Sequence, residues 1–253
     1  MTSPPHGERP AAAEQSLRTA RGLLAHAAAE LAPAPGANPF VPLVENGTAG
    51  LDAVAALALE QGWIIPADRR SFLHLAARAA AAGLPAGAAV FGTLAEGETL
   101  ALDRLGALLD ACGVSGEQAA SYVPTVGCQA YPAYVAWLAL NGEPADAILA
   151  LTANFAAWGG FCAALGRALR ERHGLSDEAC GFFDFFATPS PDLDREALAA
   201  LEEGTERGVL TLPTALRQGR LLQSYEDMFW ADLAGRAGAA RGRARGTGPP
   251  GNV

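Results

Sequence analysis

The stretch that decides the fold is Ala147–Gly166, AILALTANFAAWGGFCAALG, which carries no charge between Asp146 and Arg167. A helix of this length spans roughly 30 Å, the width of a small domain or of a bilayer core. Alanine and glycine keep it only mildly apolar, and no second stretch resembles it, so a central helix ringed by amphipathic ones is expected rather than a membrane span. Three features interrupt it: Asn154, Trp158 four residues on, and the pair Gly159-Gly160. A buried amide needs partners for its donors and acceptor, so this pattern reads as a pocket wall.

Working outward, the 253-residue chain is half apolar, mostly through alanine and leucine, which favours an all-helical fold. All 18 basic residues are arginine. Without lysine there is no phosphate-loop lysine and no lysine Schiff base. A net charge of −9 argues against nucleic-acid binding, which rests on neutralising phosphates. The four cysteines, Cys112, Cys128, Cys162 and Cys180, have no CxxC spacing, and MTSPPHGERP lacks the apolar segment of a signal peptide. Reduced thiols in a cytoplasmic protein are expected.

Residues 1–13 read as a disordered tail, 14–235 as one all-α domain, and 236–253 as a second tail rich in arginine and glycine. Within the domain, a first helix is expected over Glu14–Leu31, then helices over Leu51–Gln61 and Pro66–Ala82 joined by the link Gln61–Ile65. Further helices are expected over Glu96–Cys112 and, after a loop at Pro124–Gln129, over Tyr131–Leu140. The central helix runs on to His173 and is closed by Gly174. Ser115 and Ser176 are read as helix caps. Asp192–Glu203 and Pro213–Leu233 complete the set.

In that last helix Leu222, Glu226, Phe229 and Leu233 share one face. A carboxyl inside an apolar stripe is costly unless paired or protonated, and such a group suits general acid–base work. Asn154 and Tyr134 are read as hydrogen-bonding groups of the same interior, with Trp158 and Trp63 as apolar walls for a planar ligand. No metal site and no cofactor are expected: among the four histidines, His6, His26, His74 and His173, there is no ligand spacing. Cys162 reads as a small buried hydrophobe rather than a nucleophile.

The order NPFVPLVENGTAGLDAVAALALEQ, AYPAYVAWLAL, ALTANFAAWGGFCAALG, LLQSYEDMFWADL resembles the TenA (thiaminase II) and PqqC superfamily over about Asn38–Leu233. The resemblance implies a haem-oxygenase-like helical bundle and a place in thiamin metabolism. It matches Glu226 to the family's site glutamate and Tyr134 to a tyrosine of the aminopyrimidine pocket. The family's catalytic Pro-Cys reads Ala153-Asn154 here, and the tyrosine after it reads Trp158. The family's Gln-Asp-Tyr reads Gln61-Gly62-Trp63, so the aspartate that contacts the pyrimidine is missing. An amide cannot replace a thiolate nucleophile. The expectation is a protein with a pocket for a small planar or heterocyclic metabolite, an enzyme but not a cysteine-dependent thiaminase. Metal-free oxygen chemistry of the PqqC kind and a non-catalytic metabolite binder are the alternatives. Apolar helix faces leave room for a homo-oligomer.

Overall fold

Helices account for every regular element in the described part of the chain. The structure, a computed structural model, describes residues 15 to 246 apart from 16 and 35. The expected tail over 1–13 and the last seven residues lie outside the described residues. In chain order the helices are α1 (Ala20–Glu30), α2 (Val41–Glu45), α3 (Leu51–Ala81), α4 (Pro85–Ala111) and α5 (Gly116–Ser121). They continue as α6 (Val126–Asn141), α7 (Pro144–His173), α8 (Asp177–Ala187), α9 (Pro191–Glu206) and α10 (Leu212–Gly246).

The quoted stretch lies inside α7. Its ends follow local chemistry: Pro144 opens the first turn with Asp146, and Arg170, Arg172 and His173 face the C-terminal dipole. Gly174 then takes the left-handed conformation, φ 66°. By length and composition α7 could cross a membrane. In the fold it packs against α1, α2, α8, α9 and α10. Gly159 explains half of the double glycine, because a Cβ there would meet the Phe186 carbonyl oxygen of α8 at 2.9 Å.

Several expected boundaries move. The link Gln61–Ile65 is helical and Pro66 lies inside α3, although its missing N–H costs about 3 kcal/mol. Buried Leu57, Ile64, Ile65, Phe72 and Leu75 hold the two halves in one line, so packing outweighs the local penalty. The expected loop at Pro124–Gln129 instead starts α6, whose cap is Thr125; its hydroxyl accepts from Cys128 N–H at 3.3 Å, and Pro132 sits inside the helix. α4 begins at Pro85 rather than Glu96, and α1 begins at Ala20, capped by Thr19. α10 runs to Gly246, beyond Leu233 and into the stretch read as a tail. The capping box at Ser115 and the cap at Ser176 are formed as expected.

Six helices close a ring. α3 packs on α4, α4 on α8, α8 on α7, α7 on α10, α10 on α6, and α6 on α3. The ring encloses two apolar clusters. One gathers Leu57, Ile65, Leu105, Leu165, Phe183, Phe229 and Trp230; the other gathers Phe72, Leu75, Phe91, Val135, Ile148, Leu151 and Leu222. Five ring helices, α3, α4, α6, α7 and α10, contribute to both clusters, and each carries a polar residue where it passes from one to the other.

Candidate functional site

Those crossing points form one polar layer. On α3, Asp68 lies between Ile65 and Phe72; on α4, Glu98 lies between Ala95 and Ala101. On α7, Asn154 lies between Ala153 and Cys162; on α10, Glu226 lies between Leu222 and Phe229. Tyr131 enters from α6, between Cys128 and Tyr134. Each side chain interrupts a helical stripe that is otherwise buried and apolar, which is expensive unless a partner or a proton compensates.

Protons compensate in part. Burial, with the charge of Asp227 adding and the Trp230 hydrogen bond opposing, pushes the Glu226 carboxyl up to about 7. Trp230 Nε1 donates to Glu226 Oε1 at 2.9 Å, a pairing four residues along the helix. Burial pushes Asp68 up to about 8. Glu98 is raised well above the carboxylate range by burial and then by Asp68. The phenol of Tyr131 is raised by burial and by the charges of Asp68, Glu226 and Glu98, so these four groups share one electrostatic neighbourhood. Asp68 is buried, and its Oδ1 has no hydrogen-bond partner.

A cavity of about 220 Å³ opens on this layer, lined by Asn154, Ala157, Phe161, Gln223, Glu226, Asp227 and Trp230 from α7 and α10. Ala32, Pro33, Ala34, Ala37 and Asn38 close the opposite side. Gln223 Nε2 donates to the Leu31 carbonyl, and Arg220 pairs with Glu30 at 3.4 Å, which holds that wall against α10. Asn154 Nδ2 donates to the Ala150 carbonyl at 2.8 Å, while its Oδ1 is buried without a partner. Asn38 Nδ2 is buried without one as well. Each such orphan costs about 1–3 kcal/mol. A second, more open depression of about 690 Å³ lies between Arg104, Phe185 and Asp192, but none of its lining residues carries an unpaired buried polar atom.

The fold brings together Glu226 and Asn154 among the residues singled out from sequence. Trp158 packs behind the cavity, 5.5 Å from Trp230 and 5.7 Å from Phe186 between ring centroids, rather than lining it. Tyr134 does not line it either; its ring stacks between Tyr225 at 4.9 Å and Trp137 at 5.6 Å, and its hydroxyl has no partner. Gln61 is buried on α3 away from the lining. Trp63 is 48% exposed, because it leaves α3 on the side opposite the buried Gln61–Asp68 stripe. Cys162 is buried, and burial followed by the Glu226 charge raises its thiol well above the usual range, so it is held as a neutral SH. All four cysteines are free.

Sequence reasoning missed Asp68, Glu98, Tyr131 and Asn38. The stripe rule that finds Glu226 also finds Asp68 in the series Gln61, Ile65, Asp68, Phe72, Leu75, once α3 is taken as one helix. The split at Pro66 hid it, and the late start of α4 hid Glu98 in the same way. Among the described residues no group of three or more His, Cys, Asp or Glu side chains is placed to hold a metal ion.

No protein-family model and no curated protein matches the sequence. Among solved structures, the chain is similar to a protein of Shewanella denitrificans OS217 described as a domain of unknown function with a heme oxygenase-like fold. The TM-score is 0.62 at 13% identity, over 81% of this chain and 87% of that one. That likeness and the closed ring of helices lead to the same conclusion: this is an all-α chain with the haem-oxygenase-like fold.

Proposed function

We propose that the Glu226 cavity binds a small, planar, single-ring metabolite and that Glu226 acts on it as a general acid and base. The observation that carries this reading is the carboxyl of Glu226, held near a pKa of about 7 at the wall of a cavity lined by Trp230, Phe161 and Asn154. A group with that pKa is present in both protonation states at neutral pH, so it can take a proton and return it. Size narrows the ligand. A 150 Å³ apolar cavity holds benzene, so about 220 Å³ suits one substituted ring.

The TenA resemblance supplies a reaction class. Where that family keeps its nucleophilic thiol, this chain has Asn154, so water attacks the carbon that carries the leaving nitrogen. Ionised Glu226 removes the proton of the attacking water, a carbon–oxygen bond forms, and the carbon–nitrogen bond breaks. Protonated Glu226 then passes the proton to the leaving amine, and ammonia departs. Incubation with aminomethylpyrimidine or thiamin tests this through release of ammonia or thiazole, with Glu226→Gln as the control. No turnover of either, with oxygen uptake instead, would replace hydrolysis by metal-free oxidation.

The absence of a thiol from the cavity wall supports a second reading, a binding protein without catalysis. There Glu226→Gln shifts ligand affinity while no product forms over any incubation time.

A further inference from the structure

We propose that Asn38 is a specificity-determining residue of this cavity, donating its side-chain N–H to an acceptor on the ligand; the assignment rests on the ligand reading above. Asn38 stands just before α2 and is 6% exposed. Its Oδ1 accepts from the backbone N–H groups of Phe40 and Val41, both at 3.0 Å, which caps the start of α2. Those two donors decide which way the amide faces, because turning it over would set an NH₂ group against two N–H groups. The atom directed away from the cap is therefore Nδ2, and it is the atom without a partner.

The same reasoning orients Asn154. Its Nδ2 is committed to the Ala150 carbonyl, so the atom without a partner is an acceptor, Oδ1. Both residues line the cavity beside Glu226, whose Oε1 is occupied by Trp230. Among the lining residues, Asn38 therefore holds an unpaired donor and Asn154 an unpaired acceptor, beside Glu226 and its second oxygen. The complementary ligand is a single ring carrying an acceptor and an N–H donor, as in a six-membered lactam. A ring of equal size without an acceptor leaves Asn38 Nδ2 unpaired, and sites built to hydrogen-bond a ligand discriminate strongly against such analogues.

Asn38→Asp separates selection from capping. The carboxylate keeps both bonds to Phe40 and Val41 and the side-chain size, and Asp caps helices as well as Asn does. The change at Nδ2 is from donor to acceptor with an added negative charge, which Asn38→Ser does not bring. Pyridone, with acceptor and donor, aniline, with a donor alone, and toluene, with neither, would be titrated calorimetrically into wild type, Asn38→Asp and Glu226→Gln at neutral pH. Wild type is expected to bind pyridone at least ~100-fold more tightly than toluene. Asn38→Asp is expected to weaken pyridone at least ~10-fold, leaving toluene unchanged and aniline no weaker.

Equal pyridone affinity in wild type and Asn38→Asp would reduce Asn38 to a cap and leave the ligand reading standing. Failure of wild type to bind any of the three rings would overturn the ligand reading and this assignment together. Should Asn38→Asp not fold, Asn38→Ser carries the same test, since its hydroxyl caps α2 but lacks the amide donor. Unchanged pyridone binding by that variant would overturn the assignment.

Discussion

Two buried polar regions share helices α3, α6 and α10, and they are built in opposite ways. At one end of the ring Glu60 is fully buried and almost saturated with partners. Its Oε1 accepts from the Tyr122 hydroxyl at 2.6 Å and from Thr125 N–H at 2.9 Å, and its Oε2 accepts from Gln129 Nε2 at 3.1 Å. Arg236 donates to the Tyr122 hydroxyl at 2.8 Å and pairs with Asp232 at 3.3 Å. The Thr125 hydroxyl, with a single proton, lies 2.8 Å from Asp232 Oδ2, its shorter contact. Eight residues along α3, Asp68 is buried with an orphan oxygen and, among the described residues, no ion pair, in the same layer as Glu98, Glu226 and Asn154. A polar group with every valence met holds the fold; one with valences left open is a cost that only a ligand or a proton relieves.

The contrast can be broken by experiments whose signs differ. The largest effect is expected at Glu60. Glu60→Ala leaves the Tyr122 hydroxyl, the Thr125 N–H and the Gln129 amide without their acceptor and should cost ~3–5 kcal/mol in urea denaturation. Asp68→Asn should do the reverse. Because the folded pKa of Asp68 is raised from 3.8 to about 8, the wild type loses stability as pH rises between those values. The asparagine variant should flatten that loss and be more stable by ~3 kcal/mol at pH 9, read by thermal denaturation across pH.

Glu226→Gln follows the same sign over a narrower window. Its folded pKa is raised from 4.5 to about 7, so the variant should match wild type near pH 4 and exceed it by ~1–2 kcal/mol above pH 8. A drop in stability at pH 8 would mean that the carboxylate has a cationic partner. Asn154→Leu removes an orphan acceptor and should stabilise the protein by ~1 kcal/mol while weakening pyridone binding. Trp63→Ser, on the exposed face of α3, should change stability by no more than ~0.5 kcal/mol and binding not at all.

The legible part of the site was legible for one reason. Glu226 and Asn154 each interrupt an apolar helical stretch that is unbroken in sequence, so the cost of burying them could be read from spacing alone. Asp68 obeys the same rule, but Pro66 suggested a helix start and cut its stripe in two. Asn38 gave no sign, since its second amide atom has meaning only beside α7 and α10. Trp63 was misleading in the opposite sense. An aromatic next to a buried glutamine looks like a wall until the continuous helix turns it outward.

Composition, helical periodicity and the charge-free run at Ala147–Gly166 were enough by themselves to determine an all-α chain with a central helix and a polar interruption. These are local quantities: propensity, capping, and a spacing of three to four residues. Only the tertiary structure decided that α3, α4, α6, α7 and α10 bring their interruptions to one level, that Pro66 is carried through a helix, and that Tyr134 faces Tyr225 instead of the cavity. Each of those depends on the burial of residues distant in sequence, and burial energy is a property of the packed ring rather than of any one helix within it.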